Sequence, residues 1–416
     1  MASWQPIPMS GKAARTKNQI RAVVESVLAG RDTTDLLDLS LGDPTAFGLT
    51  ACPKVVADAV SAAVADATSN GYACAAGTAA ARAAVGAAAS PAATPENVFV
   101  TSGASGALEL AFAVLLSAGD NVLVPSPGFP LYATLAESLG AEVRYYGLDS
   151  AKGWDPDVAS LEALIDGRTK AIVINSPSNP CGAVHSLKAL RAVVAVAAAN
   201  RLPIVSDEIY KDLVFEDAEN YCSLADVAVG ACPVLTVDGL AKTFAVPGWR
   251  VGWIVLHDSV NALGDVREGL ARLATLILGA STLAQAAIPV ALSREPALRA
   301  AVERHTKALV TGLSANAAAI AAAVASAPGL RASPPKAAMY VLVELGAPLA
   351  ARLRDGEAFA AALLVEERVF VLPGACFGAP NAVRLVACAS AAATTEAAAR
   401  LAAFASRHGE AEARAA

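Results

Sequence analysis

The sequence predicts an α/β protein: a large domain built on a mainly parallel seven-stranded sheet, with a smaller α+β domain beside it. Three observations carry that prediction. Between residues 97 and 256, short β-branched runs alternate with helix-length stretches, the order that builds a parallel sheet covered on both faces. The chain has 416 residues, 55% apolar and 17% charged, enough to bury a large core and to divide into two units. Beyond residue 297 the pattern changes to one long alanine-rich helix, stopped by Pro328-Gly329 and followed by isolated strand runs.

Taken in order, the strand candidates of the large unit are 97–101, 121–124, 142–146, 170–175, 203–206, 234–237 and 251–255, with helices at 107–117, 132–139 and 187–199. The smaller unit has strand candidates at 339–343, 369–372 and 383–387. The N-terminal arm is expected to pack with it, giving segments 1–60 (arm and part of the small domain), 61–296 (large domain) and 297–416 (interdomain helix and small domain). Two uncharged stretches, 273–293 and 308–330, have the length of a membrane span. Their apolarity is mostly alanine, which gains little from hydrocarbon, and Gly279, Pro289, Asn316 and Pro328 interrupt them. Both read as helical structure outside a membrane.

Net charge is −6 with a pI near 5.4 and no lysine- or arginine-rich block, which argues against nucleic acid as a partner. Seven cysteines lie scattered without a Cys-x-x-Cys pair, the usage of reduced thiols in a cytosol-like compartment. Four histidines far apart in sequence give no metal-ligand spacing. Lys12, Arg15, Lys17 and Arg21 precede the first acid, Glu25. This reads as a basic arm; the cytoplasm is the expected location, with a mitochondrial one left open.

Strand ends carry the chemistry, because ligands of such sheets bind at the carboxyl ends of their strands. After 234–237 comes Gly239-Leu240-Ala241-Lys242, then Val246-Pro247-Gly248-Trp249-Arg250. A lysine in so apolar a loop is a candidate nucleophile toward a carbonyl carbon; the alternative is an amine that snorkels to solvent. Arg250 supplies a permanent cation suited to a phosphate. Imine-forming amine and phosphate-binding arginine together are what pyridoxal phosphate requires. After 97–101, Ser102-Gly103-Ala104-Ser105-Gly106 opens a helix, and its small residues and free N–H groups suit an anion; Ser105 alternatively caps that helix. Asp207, at the end of 203–206, can pair with a protonated pyridine nitrogen or serve as a helix cap, with Tyr210 three residues on as a donor to a ring phenolate. Asn179 sits in a rigid turn after 170–175. Phe129 offers a stacking surface or a core ring. Arg384 stands alone in an apolar strand, where an unpaired guanidinium would cost several kcal/mol. Its partner is either an internal carboxylate or the α-carboxylate of a bound amino acid.

In this order and spacing the pieces resemble the pyridoxal-phosphate aminotransferases of fold type I, class I, nearest the tyrosine-type branch. Further matching segments are Leu41-Gly42-Asp43-Pro44-Thr45, Asn70-Gly71-Tyr72, Pro127-Gly128-Phe129, Asn179-Pro180-Cys181-Gly182, Ala338-Met339-Tyr340 and Leu372-Pro373-Gly374. The resemblance implies that Lys242 holds pyridoxal 5'-phosphate covalently and carries a proton. It implies that Asp207 pairs with the pyridine nitrogen, that Tyr210 and Asn179 contact the ring oxygen, and that Phe129 stacks on the ring. Gly103, Ala104, Ser105 and Arg250 would bind the phosphate; Arg384, Asn179 and the backbone at Gly42 would bind the substrate carboxylate. Tyr72 would reach the phosphate of a neighbouring subunit, making a homodimer with shared active sites. The implied reaction moves the amino group of an aromatic or other apolar L-amino acid to a 2-oxo acid by a ping-pong route. Alanine/pyruvate or broad specificity, and a lyase on the same fold, are the alternatives. Two residues depart from the pattern. Gly239 replaces the phosphate-binding serine of aspartate-specific relatives, although the tyrosine-type branch also tolerates glycine, and Gln19 replaces a proline of that branch. No second arginine stands out for a side-chain carboxylate.

Overall fold

Alternate side chains of the strand Thr169–Asn175 are buried in opposite directions: Ala171 and Val173 join one apolar layer, Ile172 and Ile174 another. A strand apolar on both faces belongs inside a sheet covered on both sides. The computed structural model describes residues 4, 6–28, 33–46, 48–215 and 221–409, and shows that sheet. Its strands are β1 (Val98–Ser102), β2 (Asn121–Ser126), β3 (Glu142–Asp149), β4 (Asp155–Pro156), β5 (Thr169–Asn175), β6 (Ile204–Asp207), β7 (Val234–Gly239) and β8 (Val251–His257). They form one eight-stranded sheet in the order β1-β8-β7-β6-β5-β2-β3-β4. Strands β3, β2, β5, β6 and β7 are mutually parallel. Strand β8 runs antiparallel between β7 and β1. The seven expected strands are present; the two-residue β4 is an antiparallel addition at the edge, too short to leave a period in the sequence.

Helices α1 (Gly103–Leu115) and α2 (Leu131–Leu139) cover one face through Leu108, Phe112, Tyr132 and Ala136. Helix α3 (Leu187–Ala199) covers the other through Leu190, Val193 and Ala197. Helix α1 begins four residues before the expected 107. Gly103, at φ +72°, turns the chain directly from strand into helix, a conformation that glycine alone adopts at little cost. Ser105 therefore lies inside the first turn and is not the cap; the cap position is Ser102, whose side chain makes no capping bond.

The smaller sheet is antiparallel, in the order β9 (Leu330–Ala332), β10 (Tyr340–Leu345), β12 (Ala382–Val386), β11 (Leu372–Pro373). The expected run 369–372 is two pieces. Val369–Phe370 pairs in parallel with Leu37–Asp38 of the arm, whereas β11 pairs with β12. Val386 N–H also donates to the Leu39 carbonyl at 2.9 Å, so the arm lies against this sheet. Helix α4 (Pro296–Ser326) starts where Glu295 accepts from the backbone N–H groups of Ala297 and Leu298. By length and composition it could cross a membrane. Its stripe of Leu309, Leu313, Ala317, Ile320 and Val324 is buried in the core of the small sheet, the spacing of a helix apolar on one side. Asn316 on that stripe donates to the carbonyls of Ala387 and Ala389 at 2.9 and 2.7 Å. The region 273–293 is broken into short helices, Thr282–Gln285 and Ala287–Ala291 among them.

Candidate active site

The carboxyl ends of β1, β2, β5, β6 and β7 open onto a cavity of about 240 Å3, closed from the opposite side by Ser40, Leu41 and Gly42 of the arm and by Tyr340 and Arg384 of the small sheet. Into it face Ala104, Ser105, Phe129, Asn179, Asp207, Tyr210, Lys242 and Arg250. With Gly42 and Arg384, the sequence candidates thus converge from seven separate segments. Gly103 lies just behind the lining: a Cβ there would sit 2.6 Å from the Arg250 guanidinium. Tyr72 is 96% exposed and borders no part of this chain's cavity.

On the floor, the buried Asp207 carboxylate accepts from the Tyr132 hydroxyl at 2.7 Å and from the Ile209 N–H at 3.3 Å. Loss of water pushes its pKa up to about 6, against those hydrogen bonds, which lower it. The same burial, with Asp207 beside it, raises the Tyr132 phenol well above its ordinary value. No lysine, arginine or histidine forms an ion pair with Asp207 among the described residues. Asn175 braces this corner: its amide N–H donates to the carbonyls of Pro177 and Asp207, each at 3.1 Å, and its oxygen accepts from Asn179 N–H at 2.8 Å. Tyr132 and Asn175 were not among the sequence candidates. Asn175 ends its strand and was findable on that ground; Tyr132 meets Asp207 only through a contact 75 residues distant in sequence.

Lys242 is half-buried on the β7 side and donates from Nζ to the Gly42 carbonyl at 2.5 Å. At the other end of the cavity Arg250, itself left-handed at φ +54°, lies against the start of α1. Its Nη1 donates to the Pro247 carbonyl at 3.0 Å and Nη2 to the Ser102 carbonyl at 3.3 Å. A guanidinium beside the positive end of a 13-residue helix is a setting for an anion. Gly239 is fixed by packing: a Cβ there would lie 2.6 Å from the Val251 carbonyl oxygen and 2.9 Å from Gly252 Cα. The departure at this position follows from how closely β7 and β8 approach.

Arg384 is 3% exposed. Its Nη1 donates to Asn179 Oδ1 at 3.1 Å and its Nη2 to the Ser40 carbonyl at 2.5 Å, while Nε has no partner. The guanidinium lies between the Tyr340 and Phe377 rings, 4.4 and 4.6 Å from their centroids. Among the described residues no carboxylate pairs with it, which removes the internal partner that the sequence left open. Burial lowers its pKa.

Phosphate-binding arginine and helix start, imine-capable lysine, and a buried carboxylate lacking a cation are the donor set that pyridoxal phosphate needs at its phosphate, aldehyde and pyridine nitrogen, so the residues present fit the group. Fold and site together define a pyridoxal-phosphate-dependent enzyme of fold type I. The family model for aminotransferase class I and II matches residues 34–401, and the chain belongs to that family. Human tyrosine aminotransferase is 38% identical over 412 residues, covering 98% of this chain and 89% of the relative. The solved structure of tyrosine aminotransferase from Leishmania infantum superposes with a TM-score of 0.90 at 34% identity, covering 98% of this chain and all of that one (100%). An alanine aminotransferase from Pyrococcus furiosus superposes with a TM-score of 0.88 at 27% identity, covering 96% of this chain and 100% of that one.

Proposed function

We propose that this aminotransferase is of tyrosine type, passing the amino group of an aromatic or other apolar L-amino acid to a 2-oxo acid in two half-reactions. The observation that carries the reading is the lone buried guanidinium of Arg384 facing a cavity with an apolar flank. Beside the main cavity a further space of about 350 Å3 has an apolar wall of Ile20, Val24, Leu41, Phe129 and Leu131, with Asn18, Arg21, Glu25, Ser105 and Thr134 on the rest of its lining. A carboxylate on Arg384 and an apolar side chain in that space accommodate one amino acid across the site. Two of the relatives above bear the name tyrosine aminotransferase, which supports the same choice.

The bound cofactor supplies an electron sink for charge that develops at the substrate α-carbon. The rest falls to the chain. Lys242 carries the cofactor and moves the proton at that carbon. Asp207 keeps the pyridine nitrogen protonated, its own charge then compensated rather than buried alone. Tyr210 and the Asn179 amide, whose nitrogen makes no hydrogen bond within the described chain, hold the ring oxygen; Phe129 packs on the ring. Gly103, Ala104, Ser105 and Arg250 hold the phosphate. Arg384, Asn179 and the backbone at Gly42 orient the carboxylate, and closure of the arm and small sheet over them excludes water. We further propose a homodimer in which the exposed Tyr72 reaches the partner's phosphate. The segment division at 296/297 is retained, supported by the start of α4 at Pro296; the division at 60/61 falls within the helix Lys54–Ala65. A reducing, cytoplasmic setting is supported by the seven free thiols.

Borohydride reduction of the cofactor-loaded protein followed by peptide mapping tests the lysine assignment: the tag is expected on residue 242, and a map without it overturns the reading. A panel of apolar and charged amino donors against pyruvate, oxaloacetate and 2-oxoglutarate tests the specificity. An amino acid should bleach the visible band and a 2-oxo acid should restore it. Ammonia release without restoration would instead establish the lyase.

A further inference from the structure

We propose that Tyr340 is a positioning residue that ties the carboxylate end of the site to the cofactor end, holding Arg384 with its ring and supporting Tyr210 with its hydroxyl. The inference rests on the function proposed above. Tyr340 and Arg384 lie on neighbouring antiparallel strands. Arg384 is opposite Leu342 and Tyr340 opposite Val386, so the two are diagonal neighbours on one face of the sheet, within reach for long and aromatic side chains. The guanidinium carbon sits 4.4 Å from the Tyr340 centroid, and a desolvated cation over a ring face is a favourable pair. The same ring meets Tyr210 edge-on, centroids 5.6 Å apart at 86°, and the two hydroxyls are 2.8 Å apart.

Two buried phenols in contact share one hydrogen bond, and either can donate it. Once Tyr210 directs its proton into the cavity, Tyr340 is the donor that remains, so Tyr340 strengthens what Tyr210 offers. Room for this arrangement depends on Gly42. A Cβ there would lie 3.0 Å from Tyr340 Cε1 and closer still to the hydroxyl, so only glycine lets the arm cross the ring and present the Ser40 carbonyl to Arg384. The titratable groups acting on the pair are Arg384, Asp207 and Tyr132, with the thiols of Cys376 and Cys388 next to Arg384, and the substitutions below leave all of them in place.

The test compares Tyr340→Phe, Tyr340→Leu and Tyr210→Phe as cofactor-loaded proteins. The readouts are the pH midpoint of the visible absorbance and the Kd of 3-phenylpropionate, a plain monocarboxylate, by calorimetry. Tyr340→Phe keeps the ring and should leave Kd within about twofold, yet move the midpoint upward by about half a unit, as expected when a donor to a charged acceptor is weakened. Tyr340→Leu should also weaken the carboxylate about tenfold, because the guanidinium loses its ring. Tyr340→Phe added to Tyr210→Phe should shift the midpoint no further. An unmoved midpoint in Tyr340→Phe, with Tyr210→Phe shifted, overturns the link alone. An unmoved midpoint in Tyr210→Phe overturns the placement of Tyr210 at the cofactor and the link with it. Equal loss of carboxylate binding in the Phe and Leu variants overturns the role of the ring. Should the leucine variant fail to fold, the phenylalanine variant still decides the hydroxyl's part.

Discussion

Asp207 and Glu208 are consecutive carboxylates, both buried, and the chain treats them in opposite ways. Behind the sheet, Glu208 Oε1 accepts from Ser206 Oγ at 2.8 Å, Ser223 Oγ at 3.0 Å and the Leu224 N–H at 3.1 Å. Nearby, Lys211 and Asp238 pair at 2.7 Å. In front, Asp207 has a phenol and one long backbone bond, and Arg384 has carbonyl and amide oxygens and two rings. The negative charge and the positive charge of the cavity are not used to satisfy each other. An unpaired charge costs several kcal/mol in an interior. The back of the sheet is arranged to remove that cost internally, and the front to have it removed by what binds.

Four experiments break or sharpen this contrast. The largest effect is expected of Lys242→Ala: steady turnover should fall by at least about a thousandfold, the scale on which a positioned proton carrier acts. Wild-type kcat in that variant would end the front-face assignment. Next is a pH effect on the cofactor-free protein. Asp207 is raised from 3.8 to about 6 on folding, so the folded state binds its proton more tightly than the unfolded one. Its contribution is full below pH 4 and is lost as pH rises through 6, a difference of about 3 kcal/mol. Asp207→Asn should remove that part of the decline, read as Tm at pH 4.5 and pH 7. Equal declines in both proteins would show that Asp207 is not the group held protonated. Third, Arg384→Ala should raise KM about thirtyfold for every amino acid and 2-oxo acid alike, since all present the same carboxylate. A KM change confined to some substrates would place Arg384 elsewhere. Smallest, Glu208→Gln should lose about 1–2 kcal/mol of stability in denaturant titration while kcat stays within about threefold. A collapse of kcat equal to that of Lys242→Ala would erase the distinction between the faces.

The sheet was legible because its strands are β-branched and apolar on both sides, and the front-face residues because they follow strand ends. What escaped the sequence depends on distance or on a single dihedral angle. Nothing near Tyr132 announces its bond to Asp207, and nothing near Tyr340 announces its two partners on other elements. Whether Arg384 had a carboxylate of its own required knowing every side chain within a few ångströms. The alternative of Ser105 as a cap stayed open because the positive φ of Gly103, which starts the helix early, has no counterpart in composition. The run 369–372 read as one strand because its residues are uniformly apolar; only the approach of Leu37–Asp38 divides it between two partners.

The crowding around Gly239 has an engineering consequence. Copying the aspartate-type hydroxyl into this chain is not a single-codon exchange, since the incoming side chain would collide with the backbone of the adjacent antiparallel strand. Any attempt to retune grip on the phosphate here has to begin by re-spacing two strands, or else must work from the helix start and Arg250, where the neighbours are side chains and can be traded.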